Sequence, residues 1–237
     1  MSDQRSILDI QKFDQQSATL KNKAATLSEL AEITSTTIKQ NNVRDLRIAA
    51  ETELSDVKRE LARAEGDVEQ IVTRIERDEK RLASGTGTPK ELEQTQHELG
   101  TLGVRRSELE EVELEIMMRV DGIKERIATL STEENELALV IADLNIRKEN
   151  ALAAIHTELE GIETDRKATT QSVSAELLAL YEKIRESSGI GAAALAGNQC
   201  KGCNLTMNTI ELQRISGLAE DEVVRCEECR CILVRDK

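Results

Sequence analysis

One short stretch, residues 84–90 (SGTGTPK), constrains the fold more than any other part of the chain. It holds two glycines and the only proline of the 237 residues, and it separates two long segments with no proline and few glycines. The glycines allow positive φ and the proline has no N–H to donate, so a continuous helix here is disfavoured. Thr88, Pro89 and Glu91 fit an N-cap, a first helical position and an acidic first turn. The stretch predicts a tight turn between two antiparallel helices; a single kinked helix is the alternative.

Both flanking segments carry apolar residues at alternating steps of three and four, which is typical of a coiled coil. Aromatic residues make up 1% of the chain and charged residues 32%, a profile of long helices that bury only a narrow seam. We therefore expect a mainly α fold, with a long antiparallel coiled-coil hairpin and a small C-terminal unit. The seam residues include Ile10, Phe13, Leu20, Val43, Ala50, Leu54, Val57, Leu61, Ile71 and Ile75 on the first side, and Leu102, Leu109, Ile116, Val120, Ile123, Ile127, Leu130 and Ile141 on the second.

A polar stretch weakens the pattern in each arm of the hairpin. Thr34–Asn42 is rich in weak helix formers, and Thr132–Glu136 places Glu134 at a seam position. Folding the chain about residue 87 brings the two stretches opposite each other. They are interpreted either as a tolerated weak spot or as a true kink.

Beyond residue 170 the second arm overruns the first, and we expect its helix to continue to about Ser187. Val173, Leu177, Leu180 and Ile184 extend the apolar stripe, and Gly189 then stands where helices commonly end. The predicted domains are a hairpin at 1–188 and a second domain at 189–237.

The charge and apolar content limit where the chain works. The net charge is −13 and no long segment is basic, so the sequence does not predict a broad phosphate-binding surface. No apolar run follows the N-terminal residues, and no window approaches eighteen apolar residues. We expect a cytoplasmic protein with no membrane contact.

The cysteines carry the clearest chemical signal. All five follow residue 199, and four form two CxxC pairs, Cys200 with Cys203 and Cys226 with Cys229. A CxxC turn lets two thiolates reach one ion, and two such turns complete a tetrahedron. The pattern predicts one zinc ion, which is structural because four cysteines leave no position open for water. The competing interpretation is a redox dithiol, but that needs a βαβ setting that neither pair has.

The segment between the pairs is compatible with a zinc ribbon. Residues 208–211 (NTIE) predict the capped start of a short helix, and residues 222–225 and 232–235 predict strands. Residues 192–195 are apolar and form a further candidate strand. Cys231 is the fifth cysteine. It is interpreted as a free thiol, with substitution for Cys229 as the alternative.

Taken together, these features resemble the bacterial C4-type zinc-ribbon family with an N-terminal coiled-coil hairpin. The resemblance covers nearly the full length and is sharpest from Tyr181 to Val234, through CKGC at residues 200–203 and CEEC at residues 226–229. It implies Cys200, Cys203, Cys226 and Cys229 as ligands. One departure is Arg230, where the family usually has glycine after the last ligand.

The resemblance implies a non-enzymatic, chaperone-like adaptor, since family members are associated with the RpoN-type sigma factor, flagellar gene expression, secretion components and messenger RNA. Two function classes stay open: an adaptor that binds a protein partner through coiled coil and ribbon, and a regulator that binds RNA or DNA through the ribbon. An enzyme ranks behind both, because no nucleophile–base pair or open metal site is visible, and we expect no small-molecule substrate.

Overall fold

The computed structural model describes residues 2–219 and 221–235 and is dominated by four helices. These are α1 (Ser2–Ala25), α2 (Ser28–Ala83), α3 (Pro89–Thr170) and α4 (Ala175–Ser188). Two compact units make up the structure: one combines Met1–Leu30 with Ile146–Lys237, and the other is Ala31–Asn145. The predicted domain boundary between residues 188 and 189 stays a prediction.

The predicted turn between the long helices is confirmed. Helix α2 ends at Ala83 and α3 begins at Pro89, and the glycines between them have φ of 63° (Gly85) and 143° (Gly87). The Thr88 N–H donates to Glu91 Oε2 at 2.7 Å, and the Glu91 N–H donates to Thr88 Oγ1 at 3.4 Å. This reciprocal capping box begins α3 at the proline, as the sequence predicts.

An apolar seam and pairs of opposite charges join α2 to α3 in the unit Ala31–Asn145. The buried seam residues are Ala50, Val57, Ile116, Val120 and Ile123. Arg119 donates to Glu60, Arg126 to Glu53 and Arg74 to Glu98, each across the two helices. The predicted fold class, a long coiled-coil hairpin followed by a small C-terminal strand region, is confirmed.

The facing polar stretches contain no helix break. Residues 34–42 and 132–136 lie within α2 and α3. Glu134, at its seam position, accepts hydrogen bonds from Arg44 Nε at 2.9 Å and Arg47 Nε at 2.8 Å. The polar interruption is therefore an ion-paired layer within two continuous helices.

The helices break at two other places, and there the sequence prediction of uninterrupted helices was wrong. One break is at Thr26–Leu27, where the Thr26 hydroxyl donates back to the Asn22 carbonyl at 2.8 Å. The other lies at residues 171–174, so α3 stops well before Ser187. Here the Ser174 side chain caps α4 by accepting from the Leu177 N–H. The Ser174 cap favours a new helix start after the second break. The Thr26 bond does not by itself account for the first break, because Thr52 and Thr129 make the same bond within unbroken helix.

Among the described residues after α4, the structure has four short strands and one helix. They are β1 (Ala192–Ala196), β2 (Gln199–Cys200), α5 (Thr209–Ser216), β3 (Val224–Arg225) and β4 (Ile232–Arg235). The sheet order is β2-β1-β4-β3, with β1 parallel to β4 and the other pairs antiparallel. The strands expected at residues 192–195 and 232–235 are present, whereas that at 222–225 is shorter than expected.

The two central strands send alternate side chains into two cores. Ala192 and Ile232 join a core with Ile7 and Ile10 of α1 and with α4. Ala193 and Leu233 join a second core with α5 and the cysteines. The sheet is thus packed directly on α1 and α4, so these helices position the cysteines.

A buried polar cluster fixes α1 against α4 and β1. Tyr181 is fully buried and donates its hydroxyl to Asp14 Oδ2 at 2.7 Å, and Arg166 Nε donates to Asp14 Oδ1 at 2.8 Å. Gln11 Oε1 accepts from the backbone N–H of Gly191 at 2.7 Å. Burial and the hydrogen bond to Asp14 raise the pKa of Tyr181, so it is a neutral donor here. Sequence reasoning noted Tyr181 but found none of its partners, which lie far away along the chain.

Among the described residues, no helix is both long enough and apolar enough to cross a membrane.

Gly191 gives a test of how tightly Tyr181 is packed. A Cβ at Gly191 would overlap the Tyr181 ring, with Cδ2 at 2.5 Å and the Tyr181 backbone oxygen at 2.9 Å. We expect Gly191→Ala to lower the free energy of unfolding by roughly 1–3 kcal/mol, as overpacking does. Gly161→Ala is the matched control, because nothing lies within 4 Å of its Cβ and helical alanine is favoured by roughly 0.5–1 kcal/mol. Melting temperatures are measured by circular dichroism. Equal melting temperatures for the two variants would contradict this packing.

Glu134 predicts a pH dependence of the hairpin. Hydrogen bonds from Arg44 and Arg47 lower the pKa of Glu134 below its ordinary value of 4.5. Its stabilising contribution is therefore complete above that value and is lost as the pH falls through the lower folded-state pKa. We expect Glu134→Gln to melt at a lower temperature than the wild type at pH 7, and this gap to close in strong acid. The exposed neighbour Glu133→Gln should show no such gap; equal gaps for both variants would contradict the ion-paired layer.

Candidate metal centre

The first cysteine pair begins at the last residue of β2, Cys200, and continues through a tight turn to Cys203. The Asn204 N–H donates to the Cys200 carbonyl at 2.8 Å, which closes the turn, and Asn204 has φ of 59°. Asparagine tolerates this left-handed conformation better than most residues. Gly202 lies close to the rest of the centre, since a Cβ there would stand 3.1 Å from Ala193 Cβ and 3.2 Å from Cys231 Sγ.

The second pair repeats this geometry after β3. The Arg230 N–H donates to the Cys226 carbonyl at 3.0 Å, and Arg230 has φ of 64°. A residue without a Cβ suits this left-handed position, which explains the glycine expected there from the family pattern. Arg230 nevertheless closes the turn in the same way as Asn204 does in the first pair.

The four cysteines of the two pairs come together at one point. Their Sγ atoms all lie within 4.8 Å of one another. Cys200 and Cys229 are 3.8 Å apart, and Cys203 and Cys226 are 3.9 Å apart, sulfur to sulfur. A tetrahedron with metal–sulfur bonds of about 2.3 Å has edges of about 3.8 Å. The four cysteines therefore lie close enough to hold one metal ion, and the donor set suits a soft or borderline metal.

Cys231 lies beside this group. Its side chain is fully buried directly before β4, with its Sγ 3.3 Å from Cys229 Sγ and 3.8 Å from Cys200 Sγ. Burial raises the pKa of the Cys231 thiol well above its ordinary value. Sequence reasoning placed Cys231 just past the second pair but did not foresee its contacts with two of the predicted ligands. The assignment of the four ligands, with Cys231 free, stays a prediction.

An acidic cleft of about 120 Å³ adjoins the second pair. It is lined by Leu205, Thr206, Met207, Asn208, Glu211, Cys226, Glu227 and Glu228. Asn208 caps α5 by accepting from the Glu211 N–H at 2.7 Å, as the sequence predicts. The Arg214 guanidinium lowers the pKa of Glu211, which stays ionised at the cleft wall.

Four of the basic residues near the cysteines have local partners. Lys201 donates to Gln199 Oε1 at 2.6 Å, Arg214 Nε to Glu211 Oε2 at 2.8 Å and Arg225 Nε to the Arg230 carbonyl at 3.0 Å. Arg235 donates to backbone carbonyls at the end of α5 and in the loop that follows, including Ile215 at 3.1 Å and Leu218 at 3.2 Å. Of these contacts, those of Arg235 join β4 to the end of α5 and its loop.

Two proteins of known sequence resemble the chain over most of its length. An uncharacterized protein of Mycobacterium tuberculosis is 34% identical over 242 residues, which cover 99% of this chain and 96% of that protein. An uncharacterized protein of Mycobacterium leprae is 26% identical over 204 residues, covering 84% of this chain and 86% of the relative.

Two solved structures share the fold. A Mycobacterium smegmatis protein superimposes with a TM-score of 0.85 at 29% identity, covering 98% of this chain and 97% of that one. CT398 from Chlamydia trachomatis gives a TM-score of 0.68 at 18% identity with the same coverage, a likeness of fold alone.

The family description that fits the chain is that of a CT398-like coiled-coil hairpin domain, which matches residues 10–189. The resemblance expected from the sequence is confirmed for the coiled coil. The zinc ribbon and the association with a sigma factor or flagellar expression stay predictions, and the cysteines lie outside the matched range. With three quarters of its length matched, the chain belongs to the family of CT398-like coiled-coil hairpin proteins.

Proposed function

We propose that this chain is a non-enzymatic adaptor that binds a protein partner through its hairpin and through a small zinc ribbon. In this proposal Cys200, Cys203, Cys226 and Cys229 bind one structural zinc ion. The sulfur spacing fits tetrahedral Zn–S coordination, and an all-cysteine set leaves no position for a reacting water. Zinc is preferred over other thiolate-binding metals because four-cysteine sites on two CxxC turns are typical of structural zinc.

The observation that carries the choice of a protein partner is an exposed apolar pair at the acidic cleft. Leu205 lines the cleft and is 50% exposed, and Ile210, next to the cleft residue Glu211, is 81% exposed. Glu227 and Glu228 add negative charge. A surface of this kind is complementary to a segment of another protein that combines basic and apolar side chains.

A second apolar patch supports the use of the hairpin. Leu114, Met117 and Met118 lie exposed on consecutive turns of α3. Flexible methionine side chains are common where a surface accommodates the apolar face of a partner helix.

Nucleic acid is the weaker candidate. Affinity for RNA or DNA comes mainly from cationic side chains at phosphates, and Lys201, Arg214, Arg225 and Arg235 all have partners within the small unit. Residues 198–237 also contain no Phe, Tyr or Trp on which a base could stack. We expect RNA binding at or above micromolar Kd at physiological salt.

A second cavity, which lies beside Asp14, agrees with a non-enzymatic role. It has a volume of about 300 Å³ and is lined by Asp14, Gln15, Ala18, Arg185, Glu186 and Gly189. Asp14 is held by Tyr181, Arg166 and Arg185, so its lone pairs are committed to structure. The lining contains no nucleophile paired with a base.

Metal analysis tests the zinc centre. We expect about one zinc per chain in the wild type and in Cys231→Ser, and loss of the metal in Cys203→Ser, since three ligands cannot complete the tetrahedron. Loss of the metal in Cys231→Ser, or its retention in Cys203→Ser, would contradict the ligand assignment.

Capture of partners from nuclease-treated lysate tests the adaptor role. We expect wild-type chain to retain specific proteins, and the variant Leu205→Glu/Ile210→Glu to lose at least one of them at least tenfold. The control is Ile38→Glu/Leu139→Glu, which adds the same negative charge at two exposed positions on the hairpin. Each retained protein is identified by mass spectrometry and purified for direct titration.

Two results would count against the adaptor role. One is a set of captured proteins that the cleft variant and the control retain equally. The other is nanomolar RNA affinity of the purified chain at about 0.15 M salt that Arg214→Glu abolishes.

A further inference from the structure

Cys231, the fifth cysteine, lies beside the four predicted metal ligands although a tetrahedral site does not need a fifth sulfur. Four cysteines complete a tetrahedron, yet Cys231 Sγ lies 3.3 Å from the Sγ of the predicted ligand Cys229. This distance is shorter than the 3.8 Å between Cys200 and Cys229 and the 3.9 Å between Cys203 and Cys226. Cys229 is partly exposed whereas Cys231 is fully buried. A small oxidant from solvent therefore reaches Cys229 more easily than Cys231, and the Cys231 sulfur contacts Cys229 from the buried side.

The backbone between the two cysteines permits them to be joined. Arg230 separates them and adopts φ of 64°. Helix-like curvature at such a residue brings the Cα atoms on either side to roughly 5.4 Å. Disulfides span Cα distances of about 4.4–6.8 Å, so a Cys229–Cys231 bridge needs little more than side-chain rotation.

We propose that Cys229 and Cys231 form a peroxide-sensitive oxidation site, in which Cys231 is the resolving thiol and the disulfide removes a ligand from the metal centre. The inference rests on the zinc centre proposed above. In the first step the Cys229 thiolate attacks a peroxide oxygen and the O–O bond breaks. Hydroxide is the leaving group, and Cys229 becomes a sulfenic acid. In the second the Cys231 sulfur attacks the Cys229 sulfur, the S–O bond breaks, and water leaves with the thiol proton. The two sulfurs lose two electrons and hydrogen peroxide gains them.

The competing outcome is a bridge within a CxxC pair or between the pairs. Cys203 is also partly exposed, but the sulfur of its neighbour Cys226 lies 3.9 Å away, and Cys226 is itself a predicted ligand. Cys231 is distinguished because it is near, and because it is free to react without first leaving the metal.

The sequence makes the product easy to map. Trypsin cuts after Arg225, Arg230 and Arg235, so Cys229 and Cys231 fall on different peptides, CEECR and CILVR. A Cys226–Cys229 bridge stays within one peptide. Cys200 and Cys203 lie on two further peptides because Lys201 separates them. Mass alone shows which peptides are joined, and fragmentation of CEECR between its two cysteines shows whether Cys226 or Cys229 forms the bridge.

The test treats metal-loaded full-length protein with a small excess of hydrogen peroxide, then blocks remaining thiols with N-ethylmaleimide under denaturing conditions. We expect zinc release, a linked CEECR–CILVR peptide whose fragmentation places the bridge on Cys229 as the main product, and at least a tenfold loss of alkylated Cys231. A thiol reductant with added zinc should restore the metal. In Cys231→Ser the zinc should be present before treatment and the linked peptide absent; Cys231→Ala replaces it if the serine variant does not fold.

The outcomes separate the two proposals. A metal-loaded chain whose Cys231 is still fully alkylated after peroxide, or whose bridges join only the four predicted ligands, would overturn the oxidation site and leave the zinc centre standing. If freshly purified protein has five reduced thiols but contains no metal, both the zinc centre and the oxidation site are overturned.

Discussion

The arrangement depends on four sulfurs that meet at one point. A sheet of short strands, two of them only two residues long, buries too little apolar surface to fold independently. Its strand ends are instead brought together by the two CxxC turns, whose sulfurs have the spacing of a tetrahedral metal site. In the proposed zinc ribbon the free energy of metal binding stabilises a fold that the apolar contacts alone do not.

The sheet is also fixed to the helices, which distinguishes it from a ribbon on a flexible tether. Ile7, Ile10 and Tyr181 pack against Ile232 and its neighbours, and Gln11 accepts hydrogen bonds from the backbone at the start of β1. Because these contacts are buried, the cysteine unit has a defined orientation on α1 and α4. An adaptor with rigidly oriented surfaces loses less entropy when it binds its partner.

Much of the architecture follows from local sequence signals. The turn at residues 84–90, the caps at Thr88 and Asn208 and the two CxxC pairs each depend on residues close together in the chain. The parallel pairing of β1 with β4 and the contacts of Asp14 with Arg166 and Tyr181 join distant residues, and no local pattern encodes them. The helix breaks were missed because apolar spacing continues across them, and a serine cap such as Ser174 is a weak signal beside that spacing.

The most direct test of the metal-stabilised sheet is amide hydrogen exchange with and without zinc. Removal of zinc by a chelator should abolish protection in residues 192–235 and leave the seam around residues 50–64 and 116–130 unchanged, since that seam does not depend on the metal. Re-addition of zinc should restore the protection. Protection of β1 and β4 that is the same in metal-free and zinc-loaded protein would contradict the account.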